Sequence, residues 1–532
     1  MKKIDLGVIV TTLIIVTISC SLAFFAARVV GEPKDINLVA KNVAITFNDT
    51  SIMANGVVSP DWNTTKTFTI TNNSKEEYKY NISIKDLINT FVTEEYLQYK
   101  ITSTNNGYNM TEFKDIPKSS APKDTILAYS VSIPVGVTQS YTIEFKYIND
   151  ESVDQSDDMG KKLSGKLFIT EGTEQPTLLS QILKDNSTRS TRSNNNNGTN
   201  DFATPLTTTT TGTLFKSTES ITGITDSPKE VYYYAGNTTN NWVKFAGLYW
   251  RIIRTNHDSS IRLLYVGTSH DTTTENIGES VYNTNKNSPK YVGYKYGEDT
   301  SLDTIRNNTT DSTIKTFIDS WYQNNLTDYT KYLSTSAVYC NDRKLASGST
   351  YTAYREEHNN KNLLAYVDKN ERKTLIAAES VINGTSFASY ERLDTNKSPS
   401  YNCTDIRDAF SVDNTSAKLD YPISLMTADE IAFAGGVKGQ IMNTPYAWFI
   451  SNSAGTQVST SWWSLSPEGW GDGNACVFYV IGSSYDGSLG NDIVFSTNGV
   501  RPVVSLKSCV KWASGDGTAD NPYTIEETST GC

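Results

Sequence analysis

Trp462, Trp463 and Trp470 fall within nine residues, with Glu468, Asp472 and Asn474 beside them. An indole face offers a large apolar area, and short carboxylate or amide side chains bond hydroxyls, so this set suits a sugar or peptide surface. Trp470 follows Pro467 and Glu468 and precedes Gly471 and the Asp472-Gly473 turn, a setting that predicts a loop and an exposed indole. The competing role is packing. Trp462 and Trp463 are neighbours, and strand alternation turns at least one of them into the core. The candidate ligand-binding residues are therefore Trp470, Asp472, Asn474 and Glu468.

Catalytic chemistry is less well served. The three histidines, His257, His270 and His358, lie in polar surroundings, with neither a G-x-S-x-G elbow nor an H-E-x-x-H motif to give them a role. The pair Asp429-Glu430 could supply glycosidase carboxylates, but Glu430 is better placed as the capping-box partner of Thr427. Asp516, Thr518 and Asp520 alternate like calcium ligands, yet lack the glycine and terminal glutamate of an EF-hand loop, so a turn is expected. Arg501, ahead of Pro502, is expected to anchor a strand end by pairing with a carboxylate. These residues predict no catalytic group, no metal and no cofactor.

Cys20 lies in an N-terminal apolar stretch; Cys340, Cys403, Cys476, Cys509 and Cys532 all belong to the C-terminal part. With no C-x-x-C pair, zinc and thioredoxin-like sites are disfavoured, and scattered cysteines in an exported domain read as disulfide partners. The preferred pairs are Cys340 with Cys403 and Cys509 with Cys532, leaving Cys476 free, although sequence alone leaves the pairing open. The net charge of −11 argues against a nucleic-acid partner.

The elements that would position these residues follow from periodicity. Lys2 and Lys3 precede an uncharged run from Leu6 to Ala27. Its length fits a membrane-crossing helix with a cytoplasmic N-terminus, so residues 1–30 are expected to anchor the chain in the membrane through residues 6–27. The alternatives are a signal peptide cut near Ala26 or Ala27 and lipidation at Cys20. Residues 35–172 alternate in short runs such as Thr67-Phe68-Thr69-Ile70-Thr71 and Tyr141 to Ile148, which predicts a two-sheet sandwich, with a helical insertion between Asp86 and Tyr99. Residues 173–230, rich in Asn and Thr, read as a flexible linker beginning with a short helix around Leu178 to Leu183 and open to trypsin at Arg189 and Arg192. Residues 231–528 form a larger domain with one helix capped by Asp311 and another opened by Thr427 and ended by Gly435-Gly436.

Two resemblances extend this reading. The strands Thr67 to Asn72 (TFTITN) and Gly165 to Thr170 (GKLFIT) resemble those of camelysin-like biofilm-matrix proteins. In the larger domain, Asn241 to Gly247, Trp250 to Arg254, Leu425 to Glu430, Trp462 to Pro467 and Gly499 to Pro502 resemble an uncharacterised domain of surface proteins of Gram-positive gut bacteria. That domain is similar in fold to the formylglycine-generating-enzyme and C-type-lectin-like group, which implies an α+β domain with irregular strands and long loops. The paired copper cysteines of the former and the calcium tripeptides of the latter do not occur here, so neither chemistry is implied.

The expectation is a multidomain chain: a transmembrane helix, an all-β sandwich, a disordered linker and a C-type-lectin-like α+β domain. It would stand outside a Gram-positive cell as a non-enzymatic adhesion or recognition protein for a glycan or protein ligand. A biofilm-matrix or fibre subunit and a cell-wall hydrolase are the alternatives.

Overall fold

The computed structural model describes residues 25–29, 35–40, 43–49, 56–93, 95–193, 201–349, 351, 354–356, 362–364, 386–471, 474–482 and 487–532. The chain divides into two compact units, one ending at Gln175 and one running from Pro176 to Cys532.

The first unit is built from strands. One sheet has the order β4 (Gly56–Val58), β1 (Phe25–Val29), β11 (Lys162–Glu171), β6 (Tyr78–Asn89), β9 (Ser119–Ile133). The other has the order β2 (Asp35–Ala40), β3 (Val43–Asp49), β5 (Asn63–Asn72), β10 (Thr138–Tyr147), β7 (Leu97–Ser103), β8 (Lys114–Asp115). Period-two alternation decides which side chains turn inward. Phe68 and Ile70 of β5, and Tyr141, Ile143, Phe145 and Tyr147 of β10, meet Tyr80, Ile82, Ile84, Leu167 and Ile169 of the other sheet in one core. Tyr141 stacks on Phe68 at 4.7 Å, adding an aromatic contact across two hydrogen-bonded strands. The expected helical insertion between Asp86 and Tyr99 is absent from the described residues there. Leu97, Tyr99 and Ile101 instead alternate inward on β7.

The anchor expected at residues 6–27 falls mostly on positions 1–24, outside the described residues, as does Cys20. Its last three residues, Phe25 to Ala27, belong to β1, whose parallel pairing with β11 matches Ala26 with Lys162. No helix among the described residues is long and apolar enough to cross a membrane.

The second unit holds a ten-stranded sheet, a five-stranded sheet and short helices. The ten-stranded sheet includes strands at Thr188–Thr191, Thr213–Glu219, Lys229–Tyr233, Leu248–Thr255, Ile261–Gly267 and Pro502–Leu506. The five-stranded sheet runs Glu279–Val281, Thr497–Gly499, Trp462–Gly471, Asn474–Val480, Leu489–Ile493. One large core packs Trp250, Ile252, Leu263, Trp448, Trp462, Trp463 and Val503 together.

The flexible linker expected over 173–230 is corrected here, residues 194–200 lying outside the described set. The helix Leu178–Asp185, capped by Thr177, buries Leu178 and Ile182 in the main core. Phe202, Phe215 and Tyr233 form a second cluster with Tyr401 and Phe433. Arg189 donates to Leu183 O at 3.0 Å, and Arg192 donates to Phe433 O at 2.9 Å. The Asn- and Thr-rich composition hid this because sheet pairing satisfies backbone groups whatever the side chains are, and a few apolar anchors hold the rest. The helix Thr313–Asn325 is capped by Ser312 rather than Asp311, whose carboxylate is otherwise engaged. The second predicted helix matches its capping box: Thr427 N donates to Glu430 Oε2 at 2.9 Å, Glu430 N donates to Thr427 Oγ1 at 3.1 Å, and Gly435 ends the helix with φ of 125°.

Candidate functional site

Of the candidate binding residues, Glu468, Trp470 and Asn474 lie on a hairpin. The strands Trp462–Gly471 and Asn474–Val480 pair Trp470 with Ala475 and Gly471 with Asn474. Trp470 is therefore on a strand rather than a loop, and it is 3% exposed, inside the main core. The expectation of an exposed indole is corrected. Register puts Trp470 on the same face as Ala475, and that face packs inward; the proline and glycines around it mark register shifts in the strand. Trp462 and Trp463 are buried as well, and the Trp463 indole donates to Ser280 O at 2.9 Å. Glu468 and Asn474 stay half-exposed, while Asp472 lies outside the described residues.

Lys438, Asp394, Tyr390 and Cys476 lie around Glu468. Burial raises the Glu468 carboxyl above its usual range, Lys438 opposing and Asp394 adding to the effect. The Lys438 ammonium is shifted down by burial against the pull of Glu468 and Asp394. Burial, with Glu468 and Asp492 nearby, pushes the Cys476 thiol up to about 12, so it stays protonated and unreactive. The other four cysteines of the second unit pair as Cys340–Cys403 and Cys509–Cys532, leaving Cys476 free.

The motif residues converge inside the protein. Arg254 of the Trp250–Arg254 run donates to Glu219 and to Glu430, both at 2.8 Å, and Arg262 also pairs with Glu430. Burial works against the Glu219 anion, but Arg254 and His257 prevail and hold it at about 2. A cavity of about 20 Å³, the space of one water, adjoins this group. Arg392 lines it too, in a bidentate pair with Asp429 at 3.0 and 2.9 Å and a bond to Asp342 at 2.7 Å. The Cys340–Cys403 bridge forms part of the wall. Every carboxylate in this ring is already matched by a guanidinium, which suits holding strands together better than receiving a substrate.

A second buried set joins the same motifs. Arg501 of the Gly499–Pro502 segment forms an ion pair with Glu275, and its guanidinium also donates to Phe449 O at 2.6 Å. The expectation that Arg501 anchors a strand end through a carboxylate matches this geometry. Arg251 faces Glu275 from the other motif strand, 4.1 Å from the centre of the Trp242 ring.

The remaining chemistry-bearing groups have structural partners. Asp311, Asp319 and Asp420 lie close enough together to hold a cation, but the Lys315 ammonium stands among them at 3.0, 2.5 and 2.8 Å. Asp516 accepts from Thr518 N at 3.1 Å, the turn expected there. His257 sits 3.5 Å from Glu219, and His358 is outside the described residues. His270 Nδ1 meets Ser453 Oγ at 2.8 Å, with no carboxylate bonded to its other nitrogen among the described residues, so the pair lacks the orienting group of a triad. Glu219, Glu275, Lys315 and Lys438 were not singled out by sequence because each stands in an ordinary polar stretch and acquires its role only through distant partners.

No family model matches the chain, and no curated protein matches it. Among solved structures, AvmM, which catalyses macrocyclization in alchivemycin A biosynthesis, is 10% identical over 27% of this chain and 100% of its own, with a TM-score of 0.16. A family 123 glycoside hydrolase from Clostridium perfringens, described for glycolipid glycan hydrolysis, is 11% identical over 24% of this chain and 26% of its own, with a TM-score of 0.10. Likenesses this slight carry no argument about fold or activity.

Proposed function

We propose that this is a non-enzymatic recognition protein of a Gram-positive cell surface, anchored through the apolar run that begins at Leu6 and ends before the strand Phe25–Val29, whose second unit is a lectin-like platform for a glycan or protein ligand. The observation that carries the reading is the inward closure of its charge. The arginines of the motif strands are matched by buried carboxyls in the core, and two disulfides clip the same unit. Such a unit is rigid and fits an oxidising exterior, where disulfides persist. It leaves the surface, rather than a charged cleft, to do the work.

The place best suited to contact is the face of the Trp462–Val480 hairpin where Glu468 and Asn474 remain half-exposed and Trp470 braces the strand from the core. A glycan and mucin array probed with the full chain tests the reading. Binding that weakens with Glu468→Ala and Asn474→Ala supports it, and a chain that binds nothing on glycan, mucin and matrix-protein arrays refutes it. A structural role in a matrix is the second reading, favoured by the 15-residue strand Ser119–Ile133 at the edge of its sheet.

A further inference from the structure

The loop between the strands Ile261–Gly267 and Glu279–Val281 is stitched to two other segments. Ser453 N donates to His270 O at 3.0 Å, Asn452 Nδ2 donates to Asp271 O at 2.6 Å, and Ser459 N donates to Thr273 O at 3.2 Å. At its end, Ile277 N donates to Val500 O, and Val500 N donates to Gly278 O, both at 2.9 Å. Gly278 holds φ of 131°, a conformation closed to most residues. From this loop Glu275 enters the core, 1% exposed, and neither of its oxygens accepts a hydrogen bond among the described residues.

Two charged groups face that carboxyl: Arg501 from the segment before Pro502, and Arg251 from the strand Leu248–Thr255. Tyr265 lies beside Arg501, and Tyr234 lies beside Arg251. On the loop itself, His270 is turned to Ser453 and Asp271 is bonded to Ser269.

We infer that Glu275 makes residues 268–278 an acid-fastened strap, seated while its carboxyl carries a proton and loosened once that carboxyl ionises. The neutral acid is cheap to bury. The anion gives up its hydration and finds two guanidiniums but no well-aligned donor. Burial outweighs Arg501 and Arg251 and lifts the group to about 7. Opening the strap returns it to its ordinary value of 4.5. The sign follows: below that value pH does not affect opening. From there to about 7, each pH unit favours opening about tenfold, and above it the effect levels off.

The test is hydrogen exchange of the strap amides in the full chain from pH 5 to 8, corrected for the intrinsic exchange rate. The expected result is about a fortyfold rise in opening from pH 5 to 7 in the parent, none in Glu275→Gln, and none for the amides of Leu248–Thr255 in either. A flat parent profile, or the same rise in Glu275→Gln, overturns the proposal. Should the variant not fold, infrared titration of the parent decides: a buried carboxylic-acid carbonyl band persisting above pH 6 supports the strap, and complete ionisation by pH 5 overturns it.

Discussion

The Arg501 guanidinium lies against the Glu275 carboxyl in the core, and each side chain is 1% exposed. The pair ties the most recognisable motif of the second unit to a loop that no motif marks. Arg501 also holds Tyr265 O, at 3.1 and 3.2 Å, and Phe449 O, at 2.6 Å. It thus joins the strands Ile261–Gly267 and Pro502–Leu506 to the turn Trp448–Ile450.

Removing one member should cost far more than removing both. Arg501→Met strands the Glu275 carboxyl and two backbone carbonyls, and should lower stability by about 3–5 kcal/mol in urea unfolding. Arg501→Met with Glu275→Leu should recover part of that loss. A double variant no more stable than Arg501→Met would show that the carbonyl contacts, and not the Glu275 contact, are what Arg501 contributes.

Glu219 gives a pH dependence of opposite sign to that of Glu275, in a separate window. Its folded value of about 2 lies below its ordinary 4.5, because Arg254 and His257 overcome the burial penalty. Its stabilisation is therefore complete above pH 4.5 and disappears as pH falls through 2, on the order of 3 kcal/mol. Glu219→Gln should flatten the acid limb of the stability curve between pH 4.5 and 2. An unchanged limb would place the acid sensitivity elsewhere.

What the sequence showed and what it hid divide along a physical line. Period-two alternation marked the strands around Phe68 and Tyr141, since one face of each is buried and the other is not. The Thr427–Glu430 capping box is local and was legible for that reason. The linker was misread because strands such as Thr188–Thr191 and Thr213–Glu219 are held by pairing with partners, which leaves no mark in composition. The buried carboxylates Glu219 and Glu275 were invisible for the same reason: a carboxylate in a polar stretch becomes a core residue only when an arginine from another motif reaches it.

The Cys340–Cys403 bridge closes a chain separation of 63 residues. Loop-closure entropy for that length gives about 4 kcal/mol of stabilisation. Cys340→Ser with Cys403→Ser should therefore lower the denaturant midpoint strongly and loosen the strand pair Tyr339–Cys340 with Ala409–Phe410, read by hydrogen exchange. Loss confined to residues 341–402, with the midpoint unchanged, would show that the bridge stabilises only its own loop.

Trp470 separates a packing role from a binding role. It is buried with Ala475, Val477 and Trp463 in the main core, and its indole nitrogen has no hydrogen-bond partner among the described residues. Trp470→Ala should cost about 3–5 kcal/mol in unfolding experiments through cavity formation. Trp470→Phe keeps an aromatic ring and forfeits no indole hydrogen bond, so it should cost only about 1–2 kcal/mol. If ligand contact lies with Glu468 and Asn474 at the hairpin surface, Trp470→Phe should leave affinity on a glycan array close to the parent while Glu468→Ala reduces it. The reverse pattern, with Trp470→Phe abolishing binding at unchanged stability, would mean that the indole reaches the ligand itself, and the packing role assigned to it would be wrong.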